Sequence, residues 1–119
     1  MKRILRIALC AFVLPCTGGF AFNLLHFADT PLQYMTSEDK RIFYEAAATA
    51  LDSSADGQAT SWENPATGAR GELLPRASFE RDGRACRELQ IENSARGRNN
   101  RLVLTVCKQQ DGDWKVEPQ

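Results

Sequence analysis

With 119 residues the chain has room for one small domain and no second one. Its 15 Lys and Arg match 15 Asp and Glu, a formal net charge of +0 at pH 7, which argues against nucleic acid as the main partner. Four cysteines and one histidine, without a Cys-x-x-Cys spacing, give no metal-ligand pattern, and no cofactor is expected.

Residues 1–21 read as a secretory signal peptide. Lys2, Arg3 and Arg6 form a basic start, Ile7 to Leu14 form a short apolar run closed by Pro15, and Gly19 and Ala21 stand where a signal peptidase reads small residues. The run is far shorter than the ~20 apolar residues a spanning helix needs. Cleavage after Ala21 would leave 98 of the 119 residues and a formal charge of about −3. Lipid attachment at Cys16 is the competing route, but Pro15 stands where lipoprotein processing favours a small residue.

Residues 22–35 show no clean period, and Asp29-Thr30-Pro31 interrupts the apolar Phe22, Leu24, Leu25, Phe27, Leu32 and Tyr34, so this stretch is expected to be a linker. His26, which Ser-His-Asp or Cys-His catalysis would need, lies here, and an ordinary side chain near a terminus is the expectation.

Residues 36–119 form the expected domain. Thr36-Ser37-Glu38-Asp39 has the form of a capping box, with an N-cap hydroxyl and an acid three residues on. Ile42, Phe43, Ala46, Ala47, Ala50 and Leu51 then recur at helical spacing, and Asp52 to Gly57 ends the helix. From there the breakers come at hairpin spacing. Asn64-Pro65-Ala66-Thr67-Gly68 is a four-residue turn in which Pro65 sets the first corner, Asn64 bonds the backbone two residues on, and Gly68 supplies positive φ. Asp82-Gly83 and Asp111-Gly112 mark two more turns. Five strands follow, at about 58–63, 69–79, 84–93, 100–109 and 113–118, with residues 93–100, from Asn93 to Asn100, expected to be a mobile polar loop. The fold class is therefore α+β: one N-terminal helix packed on a small antiparallel β-meander of four to five strands.

Alternation places Leu89, Ile91, Leu102, Leu104 and Val106 on the face toward the helix, and Cys86 and Cys107 on the other. In a compartment that oxidises thiols these two cysteines should pair across neighbouring strands, a bridge the chain-entropy model values at roughly 3 kcal/mol. The rival, a redox-active pair, usually has its cysteines close in sequence. Trp62 and Trp114 are read as packing side chains, with ligand stacking the alternative. Gly71 suits a bulge or a close backbone approach. Arg81, Arg84, Arg87, Arg96, Arg98 and Arg101 cluster along the chain. Arg96, Arg98 and Arg101 are the candidate patch for an anionic ligand, and a solvated surface balanced by Glu80, Asp82, Glu88 and Glu92 is the alternative.

Taken together, Thr-Ser-Glu-Asp at 36–39, Trp62-x-Asn64-Pro65-x-x-Gly68-x-x-Gly71, Cys86-Arg87, and Cys107 followed by Asp111-Gly112-x-Trp114 resemble the bacterial 17 kDa surface antigen family of rickettsial type, over about residues 36–117. The resemblance implies an exported protein associated with the outer membrane, and it brings no catalytic residues. The expectation is a non-enzymatic envelope protein whose partner is an envelope component: outer membrane, peptidoglycan or another envelope protein. The alternative is a secreted ligand-binding or inhibitor module acting through the 93–100 loop.

Overall fold

The computed structural model describes residues 31–118. The expected signal peptide, Cys16, His26 and residues 22–30 of the linker lie outside the described residues. The last part of that linker is ordered against the domain: Pro31–Tyr34 makes one 3-10 turn with Pro31 and Leu32 buried, and it touches the third and fourth strands.

Helix α1 (Ser37–Ser53) begins at the expected capping box. The Asp39 N–H donates to Thr36 Oγ1 at 3.1 Å and the Thr36 N–H donates to Asp39 Oδ2 at 2.9 Å, so two donors at the helix start are satisfied reciprocally. Phe43, Ala47, Ala50 and Leu51 are buried. The small side chains at 47 and 50 let the helix lie close to the sheet.

The strands are β1 (Thr60–Asn64), β2 (Ala69–Arg81), β3 (Arg84–Ala95), β4 (Arg98–Lys108) and β5 (Trp114–Val116). They form one antiparallel meander in sequence order. The Asn64 to Gly68 turn is as read: Asn64 Oδ1 accepts from the Ala66 N–H, and Gly68, at φ +77°, donates its N–H to the Asn64 carbonyl at 2.8 Å.

One expectation is corrected. Residues 93–100 are not a mobile loop, because β3 runs to Ala95, β4 starts at Arg98, and Asn93 pairs directly with Asn100. Arg96 and Gly97 alone make the turn, at φ +50° and +74°. Two successive positive-φ residues match the right-handed twist of the flanking strands, and arginine takes the place that Asn or Asp usually fills. The Asp111-Gly112 connection is longer than two residues; the Gln109 N–H donates to the Asp113 carbonyl across it.

Toward α1 the sheet presents Leu73, Leu89, Ile91, Leu104 and Val106, all in the buried core with Phe43 and both tryptophans. The other face carries the Cys86–Cys107 disulfide between directly paired residues of β3 and β4. The bridge is on the outer face as expected, and both cysteines are nevertheless buried, in a row with Phe79 and Lys115. Replacing both cysteines by serine is expected to cost roughly 3 kcal/mol, about 15 °C in melting midpoint for a domain of this size. A non-reducing melt of the double variant checks it; an unchanged midpoint would show that the bridge adds nothing.

Candidate functional site

The polar residues of the sequence motifs converge on the two ends of α1. At the N-terminal end, Asp39 is 1% exposed. Besides the cap bond from Thr36, its carboxylate accepts from Asn64 Nδ2 and from Thr67 Oγ1, each at 2.6 Å. Burial pushes this carboxyl up, but the bonds from Thr67, the Thr36 N–H and Asn64 outweigh it, and the group titrates below the usual aspartate range. The β1–β2 turn is thereby tied to the helix start. Asn64 serves both sides, with its oxygen closing the turn and its nitrogen reaching Asp39.

At the C-terminal end the tie is Arg87, 8% exposed on the helix-facing side of β3. Its Nη1 donates to the Ala50 and Leu51 carbonyls at 3.1 and 2.9 Å, its Nη2 to Asp56 at 2.8 Å and its Nε to Ser78 Oγ at 3.0 Å. The last turn of a helix has carbonyls without internal partners and a partial negative charge. No basic residue of α1 itself stands there, so the sheet supplies the cation. Trp114 adds a second contact, donating from Nε1 to Asp52 at 2.9 Å.

The third tie runs across the sheet. Trp62 on β1 lies opposite Gly71 on β2, and its Nε1 donates to Asn93 Oδ1 on β3 at 3.1 Å. The bond passes over Gly71. A Cβ there would come within 2.5 Å of Trp62 Nε1 and closer still to Asn93 Oδ1 and the Glu92 carbonyl. Gly71 is therefore required by close approach rather than by positive φ. Gly71→Ala is expected to cost roughly 3 kcal/mol by overpacking against backbone that must move. Loss of the tertiary near-ultraviolet signal of Trp62 at lowered denaturant midpoint is the readout. An unfolding free energy within a few tenths of a kcal/mol of wild type would refute the close approach.

The arginines are dispersed rather than gathered. Arg81 lies over Phe79 at 5.4 Å, Arg84 pairs with Glu117 at 2.7 Å, and Arg87 caps the helix. Of the three candidate anion ligands, Arg96 is in the β3–β4 turn, Arg98 lies over Tyr34 at 5.0 Å, and Arg101 pairs with Glu92. Arg98 and Arg101 are three apart on β4, so they leave opposite faces of the sheet. The structure does not bring these three together.

What the outer face does hold is an open trough of about 680 Å³ across β1 to β4. Register sets its walls. Ser61, Glu72, Glu92 and Arg101 form one cross-strand row, and Glu63, Arg70, Ser94 and Asn99 form another. The chain at Trp62, Gly71, Asn93 and Asn100 runs between them as the floor, its side chains directed to the other face. Glu92 and Arg101 pair with each other. Among the described residues the side chains of Glu63, Arg70 and Glu72 have no hydrogen-bond or ion-pair partner. Sequence reading missed this site because its residues are ordinary surface types. The available signal was the outward half of the alternation in β1 to β4, which becomes a site only once the register aligns it.

Among the described residues no cluster of His, Cys, Asp or Glu is disposed to hold a metal ion, and no helix is long and apolar enough to cross a membrane. A family model described as 17 kDa outer membrane surface antigen matches residues 49–115. The 17 kDa surface antigen of Rickettsia bellii is 28% identical over 83 residues, which is 69% of this chain and 52% of that protein. That of Rickettsia prowazekii is 29% identical over 80 residues, 66% of this chain and 50% of its own length. The chain thus spans about half the length of the relatives it matches. No solved structure matches it.

Proposed function

This chain belongs to the 17 kDa outer membrane surface antigen family, and from that premise we propose that it is an exported, non-enzymatic domain of the cell envelope that binds another envelope component through the outer face of its sheet. The carrying observation is how the polar side chains are divided. Asp39, Asn64, Thr67 and Arg87, and the N–H groups of both tryptophans, are spent tying α1 to the sheet. Glu63, Arg70 and Glu72 are left unengaged and share the outer trough. Side chains locked into ties hold a shape, whereas unengaged charges around a trough suit recognition. The signal-peptide reading of residues 1–21 and the names of the relatives support export.

The test is fractionation of cells producing the whole chain, alongside a variant with Glu63→Gln, Arg70→Gln and Glu72→Gln. Wild type is expected in the envelope fraction at low ionic strength and to be released by salt, which screens exposed charges, with its intact mass beginning at Phe22 and its two remaining cysteines protected until reduced. The triple variant is expected to be released into the soluble periplasmic fraction with its melting midpoint unchanged. Equal retention of both would remove the trough from the reading, and a chain found unprocessed in the cytoplasm would overturn export.

A further inference from the structure

The shape and charge of the trough narrow the chemistry of what it holds, and this inference rests on the binding role proposed above. Its two rows stand two residues apart along the strands, roughly 7 Å, and it crosses four strands, roughly 14 Å. That is the width of one extended chain and the length of about four residues of it. The walls carry no aromatic side chain, since the Trp62 ring belongs to the opposite face and is bonded to Asn93. A sugar ring would find no aromatic face to stack on there.

The two ends of the trough differ. At the β3–β4 end Glu92 and Arg101 neutralise each other, and Ser94 and Asn99 offer uncharged donors and acceptors suited to amides. At the β1–β2 end, Glu63 and Arg70 face each other in register and Glu72 follows two residues on, all three exposed and unengaged. Two carboxylates around one guanidinium complement a group that carries an ammonium and a carboxylate together. Arginine takes the carboxylate in a forked bond, and the glutamates take the ammonium.

We propose that the trough binds the end of an extended peptide whose last residue bears both a side-chain ammonium and a free carboxylate. The carboxylate sits on Arg70, the ammonium lies between Glu63 and Glu72, and the preceding amides run over Ser94 and Asn99. The occupant is such a peptide end carried by an envelope component, as the binding role above requires.

The probe is the tetrapeptide Ala-Ala-Ala-Lys, titrated calorimetrically into the protein purified from cells, beside the same peptide with an acetylated side chain and with an amidated C-terminus. Each block is expected to weaken binding at least about threefold, since it removes one charge-assisted contact at an open, exposed site. Glu63→Gln with Glu72→Gln should weaken the free peptide by a similar factor and leave the acetylated one unchanged. Arg70→Gln should do the same for the free peptide and spare the amidated one. Equal affinity for free and blocked peptides, or no binding of the free peptide at millimolar concentration, overturns the proposal, and both readouts use the wild-type protein. Envelope retention without peptide binding would sink this inference alone. Peptide binding by a protein that does not associate with the envelope would sink the wider reading instead.

Discussion

Replacing Arg87 by alanine is expected to lower stability by about 4 kcal/mol and the melting midpoint by about 20 °C. Truncation removes both bonds to the helix carbonyls and the pairing with Asp56. The Ala50 and Leu51 carbonyls then lose their bonds from the sheet, and Ser78 loses its guanidinium partner. Arg87→Lys separates charge from geometry. An ammonium keeps the favourable charge at the helix end but cannot make four bonds in three directions, so about half the loss should remain. Denaturant melts of both variants check this. Equal stability of the lysine variant and wild type would show that charge alone acts; a loss under 1 kcal/mol for alanine would show that the guanidinium does not cap the helix.

The expected position of Arg87 shows where sequence reading stops. Alternation around Cys86 and Leu89 carries its direction, but the sequence offers it only as one arginine in a cluster of six, which looks like surface charge. Only the helix-to-sheet docking brings two chain-distant carbonyls to it. The capping box, the Asn64 turn and the Cys86–Cys107 bridge were legible because each depends on residues close in sequence or on simple alternation. The ties were not, since Trp62 to Asn93 and Trp114 to Asp52 join residues 31 and 62 apart. The Arg96-Gly97 turn was missed for a different reason. Its signal is the conformation of an arginine, a residue that does not advertise positive φ, and reading it as a loop shortened both flanking strands. The trough was hidden for the complementary reason: none of its residues is unusual, and only register assembles them.

Asp39→Ala is expected to be as damaging at neutral pH, also costing about 4 kcal/mol, from three bonds to a charged acceptor lost at once. Asn64 and Thr67 would keep their places only with donors aimed at an empty site, so the β1–β2 hairpin should loosen with the helix start. The pH dependence distinguishes this account from simple loss of packing. The Asp39 carboxyl titrates below its ordinary value when folded, so the unfolded chain takes up its proton first as pH falls. The stability it contributes is complete above the unfolded value near 3.9 and is lost as pH falls through the lower folded value. Glu38, Asp56 and Glu117 are lowered in the same sense by their arginine partners, so acid weakens wild type through several groups. The informative quantity is the gap between wild type and variant. It should be constant from neutral pH to about pH 5 and shrink steadily below about pH 4. Asp39→Asn keeps the shape but turns a donor toward either the Thr36 N–H or the Asn64 amide. It should therefore fall between the two at pH 7 and approach wild type in acid. A gap that stays flat down to pH 2 would mean that Asp39 holds the hairpin through its shape, not its charge.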